Sequence, residues 1–221
     1  MNLFRRLGLR GVIFDMDGLL FDTERLYLEA WPHVGEVMGL PITIDAAKAT
    51  IARSRRQTEE IMRGLYGPDF SLKEAYQIMT SWLRAHMEAK GIPLKPGART
   101  LLEFLRKEGL PVALGTSNHL HVANAYLEAT AFAAYFDAIV AGDMVEQAKP
   151  APDIFLRAAV ELRLRPEQCL VLEDSNVGVE AAHRAGCLSL MVPDLLGPTE
   201  ETLGRVWRVL GSLKEVEGTL F

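Results

Sequence analysis

What most restricts the fold of this chain is the rhythm after residue 93, where short apolar runs alternate with amphipathic segments long enough for helices. Uninterrupted apolar runs suit strands buried on both faces, and the intervening helices supply the crossovers that join parallel neighbours. With right-handed crossovers the product is a doubly wound, mainly parallel α/β sheet. The spacing predicts strands over 12–15, 111–115, 138–141, 169–173 and 188–192. Helices are expected over 97–108, 119–132, 152–162, 176–185 and 199–215, with Pro96-Gly97 opening the first, Gly109 stopping it and Gly186 ending the fourth.

Residues 24–92 break this rhythm, with several helical segments and no convincing strand. They read as an inserted small all-helical domain, leaving 1–23 and 93–221 as the sheet-bearing core. One helix is expected to open at Asp45 and another at Ser71, where Glu74 stands at capping-box spacing. Leu72, Ala75, Tyr76, Met79, Trp82, Leu83 and His86 then recur at helical spacing, as the insert's own core would require.

In open α/β sheets ligands collect at the carboxyl ends of the strands. The first run, Val12-Ile13-Phe14, leads into Asp15-Met16-Asp17-Gly18, two acids on one face of extended chain. Carboxylates that close need a cation, a shared proton or both. Taken alone, the segment could also be a surface turn or a fragment of a calcium loop. The second strand ends in Thr116-Ser117-Asn118 at a helix start, where free backbone N–H groups favour anions. The third leads to Lys149, and the fourth ends in Glu173-Asp174. Each has a plainer reading: helix caps for the hydroxyls, a solvated loop for the lysine, first-turn acids for Glu173 and Asp174. Together they converge on one crevice holding Asp15, Asp17, Glu173 and Asp174 against Lys149. A hard divalent cation would balance that charge, and magnesium favours sites completed by substrate phosphate. Phosphoryl transfer is the chemistry such a site supports.

The net charge of −5 and the absence of a basic stretch interleaved with aromatics argue against a nucleic-acid partner. The basic start Met1–Arg10 lacks an apolar region after it, so it does not read as a signal peptide, and no run reaches membrane-spanning length. Cys169 and Cys187 both fall where a small buried hydrophobe would fit, the pattern of a reduced cytoplasmic protein. A monomer is the default expectation.

The motifs Asp15-Met16-Asp17-Gly18, Thr116-Ser117-Asn118, Lys149-Pro150-Ala151-Pro152-Asp153 and Leu172-Glu173-Asp174-Ser175, with Gly178 and Ala181-Ala182 following, resemble the haloacid dehalogenase superfamily. Within it they are similar to the β-phosphoglucomutase-like phosphatases and mutases with a small helical cap, and the helical insert follows the first motif as in that group. The resemblance implies a Rossmann-like core and a phosphatase acting on a small phosphorylated metabolite, such as a phosphosugar. It implies Asp15 as the nucleophile that becomes an aspartyl-phosphate and Asp17 as acid, then base. Asp174, the Asp15 carboxylate and the Asp17 main-chain carbonyl would hold Mg2+, with Glu173 as a direct or supporting ligand. Thr116, Ser117, Asn118 and Lys149 would bind phosphoryl oxygens. The cap would select the substrate, with Thr23, Tyr27, Arg53 and Arg55 as its candidate residues and Arg56 beside them. Tyr27 stands where the mutase has a His, and Ile51-Ala52-Arg53-Ser54-Arg55 replaces the mutase loop Lys-Gly-Val-Ser-Arg. Arg55 is kept but the Lys and Gly are not, and the loss of the His favours hydrolysis over mutase activity. A phosphosugar mutase and a non-catalytic phospho-ligand binder are the alternatives.

Overall fold

The structure is a computed structural model that describes residues 2–51 and 53–221. Met1 and Ala52, the latter part of the 51–55 stretch noted above, lie outside the described residues. In chain order the elements are α1 (Leu3–Arg6), β1 (Gly11–Phe14), α2 (Thr23–Met38), α3 (Ile44–Lys48), α4 (Arg55–Tyr66) and α5 (Leu72–Lys90). There follow α6 (Ala98–Lys107), β2 (Val112–Gly115), α7 (Leu120–Ala129), β3 (Ala138–Val140), α8 (Asp153–Glu161), β4 (Cys169–Glu173) and α9 (Asn176–Ala185). The chain closes with β5 (Leu188–Met191), α10 (Glu200–Leu203), β6 (Arg208–Val209) and α11 (Val216–Leu220). It divides into two compact units, Met1–Asp22 with Ile92–Phe221, and Thr23–Gly91.

In the first unit six strands form one sheet in the order β3-β2-β1-β4-β5-β6, every pair parallel. Register sets Val12 beside Val112 and Leu170, and Ile13 beside Ala113 and Val171. Because side chains alternate across a strand, the first set packs with Leu101, Leu102 and Leu105 of α6 and Leu127 of α7. The second set packs on the opposite face with Ile154, Phe155 and Ala158 of α8 and Ala181, Ala182 and Ala185 of α9. Helices thus cover both faces, which is why β1 and β2 carry no polar side chain and β4 none before Glu173. This is the doubly wound parallel sheet expected from the rhythm of apolar runs.

The expected helix over 199–215 is not formed. Thr199 caps the short α10, and Gly204 then ends it. The segment Val206-Trp207-Arg208-Val209-Leu210 is rich in residues that suit a pleated edge, and it adds β6 to the sheet. Its N–H groups find acceptors on β5, Trp207 N–H donating to Ser189 C=O and Leu210 N–H to Met191 C=O, both at 2.9 Å. A 3-10 turn and α11 complete the stretch. At the other end of the chain, Asn2 caps α1, and Phe4 is fully buried and stacks on Phe221 with ring centroids 5.0 Å apart.

The second unit has its own apolar centre, including Leu26, Trp31, Val34, Met62, Phe70, Leu72, Ala75, Met79 and Leu83. Leu72, Ala75, Met79 and Leu83 are buried as their spacing predicts, with Tyr76 and Trp82 packed half-buried around them. The helix expected at Asp45 starts one residue earlier, capped by Thr43. Ser71 accepts from the Glu74 N–H as expected, whereas the capping box closed in both directions is Ser54 with Gln57. Among the described residues no helix is long and apolar enough to cross a membrane.

Candidate active site

β1 ends at Phe14, so Asp15 is the first residue beyond it, and its N–H donates to Leu172 C=O at 3.0 Å. β1 and β4 adjoin where the strand order reverses, the crevice in which ligands of such sheets bind. The chain turns tightly after Asp17, with Gly18 N–H donating to Phe21 C=O at 2.8 Å. Gly18 has φ +77°, and a Cβ there would lie 2.3 Å from Asp174 Oδ2. Only glycine allows both the backbone angle and the close approach, and the Asp17-Gly18 turn therefore lies directly against Asp174.

Lys149 is buried at the centre of the site. Its ammonium donates to Asp15 Oδ1 at 2.5 Å, to Glu173 Oε1 at 2.6 Å and to Gly115 C=O at 3.1 Å. Three donors and three acceptors fix it completely. Glu173, fully buried, accepts at its other oxygen from Asp174 N–H (3.0 Å), Ser175 N–H (3.1 Å) and Ser175 Oγ (2.9 Å). α9 carries Gly178 against this carboxylate, since a Cβ at Gly178 would lie 1.9 Å from Glu173 Oε1.

The charges do not balance. Burial alone would depress the Lys149 ammonium, but Asp15 and Glu173 outweigh it and hold the lysine above its ordinary range. Burial pushes the Asp15 carboxyl up to about 7; Lys149 opposes this, while the charges of Glu173 and Asp17 add to it. One ammonium faces two buried carboxylates, Glu173 has three further donors, and the deficit falls on Asp15. Carboxylate oxygens of Asp15, Glu173 and Asp174 lie within 4.8 Å of one another. A surplus of hard oxygen donors with unmatched negative charge is the donor set a divalent cation fits. Both Glu173 oxygens already accept bonds from protein donors, which fixes this member of the cluster in place.

At the end of β2, Thr116 is buried and its N–H donates to Val140 C=O at 3.0 Å. Ser117 is exposed, and its carbonyl would lie 2.4 Å from a Cβ at Gly142. Asn118 directs its amide Nδ2 to Asp17 Oδ2 at 2.5 Å. Asp143, on the way to Lys149, caps α7 by accepting from Leu120 N–H at 2.9 Å. Asp15, Asp17, Thr116, Asn118, Lys149, Glu173 and Asp174 are thereby gathered by the ends of β1, β2 and β4 and the segment after β3.

The remaining residues singled out in the sequence belong to the second unit. Thr23 is buried at the first position of α2, and Tyr27 is exposed one turn on. Arg53 is exposed ahead of α4; Arg55 opens α4 with its guanidinium 5.6 Å from the Tyr76 ring centre, and Arg56 pairs with Glu60 at 2.9 Å. A second buried pair, unforeseen from sequence, joins Lys95 to Asp194 at 2.6 Å, with Asp22 at 3.5 Å from the same ammonium. No local pattern marks residues 99 positions apart.

A family model described as haloacid dehalogenase-like hydrolase matches residues 9–186. The chain is 37% identical over 187 residues to a phosphorylated carbohydrates phosphatase of Thermotoga maritima, covering 80% of this chain and 82% of that protein. It is 34% identical over 180 residues to the fructose-1-phosphate phosphatase YqaB of Escherichia coli, covering 80% and 92%. Among solved structures, one from Thermotoga maritima that carries a provisional β-phosphoglucomutase name superposes with TM-score 0.82 at 31% identity, covering 96% of this chain and 98% of that one. The motif order, the six-stranded core and these matches agree: the chain belongs to the haloacid dehalogenase-like hydrolases.

Proposed function

We propose that the protein is a magnesium-dependent phosphatase that hydrolyses a small phosphate monoester, a phosphosugar or related metabolite, through an aspartyl-phosphate on Asp15. The observation that carries this reading is the buried, under-compensated Asp15 carboxylate at a strand end, bonded to Lys149 and flanked by Asp17 and Asp174. The similarity to phosphatases of phosphorylated carbohydrates and of fructose 1-phosphate points to the substrate class.

In this scheme Lys149, the Thr116 hydroxyl and the N–H groups at the Ser117 turn hold the phosphoryl oxygens. An Asp15 oxygen attacks phosphorus, the ester P–O bond breaks, and Asp17 gives its proton to the departing alkoxide. Asp17, now a carboxylate, takes a proton from the water that attacks the aspartyl-phosphate, which releases inorganic phosphate and restores Asp15. Asp15, Asp174 and the Asp17 carbonyl would hold Mg2+, with Glu173 positioning Lys149 and the turn after β4. Bound there, the cation would withdraw charge from the phosphoryl oxygens.

Phosphate release from a panel of sugar phosphates, with Mg2+ and with EDTA, tests this for wild type beside Asp15→Asn. Mg2+-dependent release that disappears in the variant is expected. A near-normal rate in Asp15→Asn would sink the covalent step. Isomerisation of a hexose 1-phosphate primed by its bisphosphate, in place of phosphate release, would make the enzyme a mutase, the activity suggested by the provisional name of the solved relative.

A further inference from the structure

We infer that Asn118 is a positioning residue for Asp17, and that its side chain serves proton transfer and not phosphate binding. The inference rests on the acid/base reading of Asp17 and deepens it. The Asn118 amide donates to Asp17 Oδ2 at 2.5 Å, across 101 residues of sequence. Its own backbone is held from both sides: its N–H donates to Thr116 Oγ1 at 3.1 Å, and its C=O accepts from Gly142 N–H at 2.8 Å. Gly142 has no room for a side chain, because a Cβ would lie 2.4 Å from Ser117 O. The Thr116-Ser117-Asn118 turn is thus braced against the segment after β3, and a short two-torsion side chain projects from it.

Asp17 itself sits in a tight turn beyond the strand, where ladder bonds do not fix its carboxyl group. A carboxylate transfers a proton efficiently only when the correct oxygen faces the reacting atom. The short bond from Asn118 to Oδ2 restrains the rotation of the carboxyl plane. An amide suits this task because it donates without bringing a charge that would compete for the substrate phosphoryl group.

The test is a double-mutant cycle with Asn118→Ala and Asp17→Asn, read with an alkyl phosphate such as fructose 1-phosphate and with p-nitrophenyl phosphate. Asn118→Ala is expected to lower kcat on the alkyl ester about 10- to 100-fold, part of what a positioned acid contributes. KM and the inhibition constant for inorganic phosphate should stay within about twofold. With p-nitrophenyl phosphate, whose leaving group needs no proton, the initial burst should persist while steady-state release slows. In the Asp17→Asn background, Asn118→Ala should add nothing, since it acts through the residue already lost. Asn118→Asp, similar in shape but without the donor, should be at least as slow as Asn118→Ala, and it reports on the bond if the alanine variant folds poorly. A phosphate inhibition constant raised equally in both backgrounds, with kcat unchanged, would overturn the inference, as would wild-type rates in both Asn118 variants. Should Asp17→Asn alone keep wild-type rates on the alkyl ester, the acid/base reading of Asp17 has failed, and the cycle separates that result from a failure of Asn118.

Discussion

Replacing Asp15 by asparagine is expected to stabilise the metal-free protein while ending turnover, and the size of the effect follows from the charge count. Asp15 and Glu173 share the Lys149 ammonium, and burial pushes the Asp15 carboxyl from 3.8 up to about 7. In the unfolded chain that carboxyl ionises near its ordinary value. Above neutral pH, folding therefore forces an ionised carboxylate into a site that resists it, which costs roughly 4 kcal/mol for a shift of this size. Because the native value is raised, the wild type has this stability in full below pH 3.8 and loses it as the pH rises through about 7. Asparagine has the same shape and no proton to lose, so the variant escapes the loss. Its carbonyl is a weaker acceptor for Lys149, which makes roughly 4 kcal/mol an upper bound.

Urea unfolding in EDTA, compared at about pH 5 and about pH 8, reads the difference directly through the midpoint. The gap in favour of Asp15→Asn should widen with pH, and near pH 8 it should approach a Tm increase of about 10 °C if the full amount is realised. A gap that does not change with pH, or a variant less stable than wild type at both values, would refute the charge-deficit account. Saturating Mg2+ should shrink the gap, because the cation supplies to wild type the charge that asparagine makes unnecessary.

Two further substitutions probe the frame around the site. Gly178→Ala would place a Cβ 1.9 Å from the Glu173 carboxylate, so the acid must move off Lys149 or α9 must shift; a loss of about 3 kcal/mol or more in urea unfolding is expected, together with weaker Mg2+ stabilisation. Lys95→Met removes the ammonium 2.6 Å from an Asp194 side chain only 1% exposed. This should destabilise the protein by about 3 kcal/mol, whereas Arg56→Met, which breaks the exposed pair with Glu60, should change stability by no more than about 0.5 kcal/mol.

The strands that carry the site were legible because burial on both faces leaves β1, β2 and β4 up to Leu172 without polar side chains other than the small thiol of Cys169, and the polar residues reached next mark where each run ends. The edge strand β6 was not legible. Two residues long, it owes its extended state to acceptors offered by β5, and its surroundings still carry enough helix-compatible residues to suggest a helix. Asp15, Lys149 and Glu173 could be gathered in advance, since sheet order alone brings strand ends together. The partners of particular side chains could not. That Asn118 bonds Asp17, and that Lys95 lies buried against Asp194, depends on how loops are braced across about a hundred residues, for which no local periodicity exists. In the second unit, the arginine cluster resolves into an aromatic contact for Arg55 and a helix-surface pair for Arg56, a division invisible in Arg53-Ser54-Arg55-Arg56 as a string.

The two buried acids around Lys149 differ less in identity than in their supply of donors, and that difference separates their roles. Glu173 receives the lysine and three bonds from the turn that starts α9, so its charge is settled within the protein and its position is fixed. Asp15 shares the same lysine and stands just past the strand end, where burial pushes its carboxyl up to about 7. A carboxylate held in place but left short of compensation is a stronger base and nucleophile than one fully solvated by donors. The fold arrives at this asymmetry through glycine: Gly178 lets α9 close over Glu173, and Gly18 lets the Asp17 turn close on Asp174. Filling either space would displace an acidic group, and with it the charge imbalance around Lys149 on which the nucleophilic role proposed for Asp15 rests.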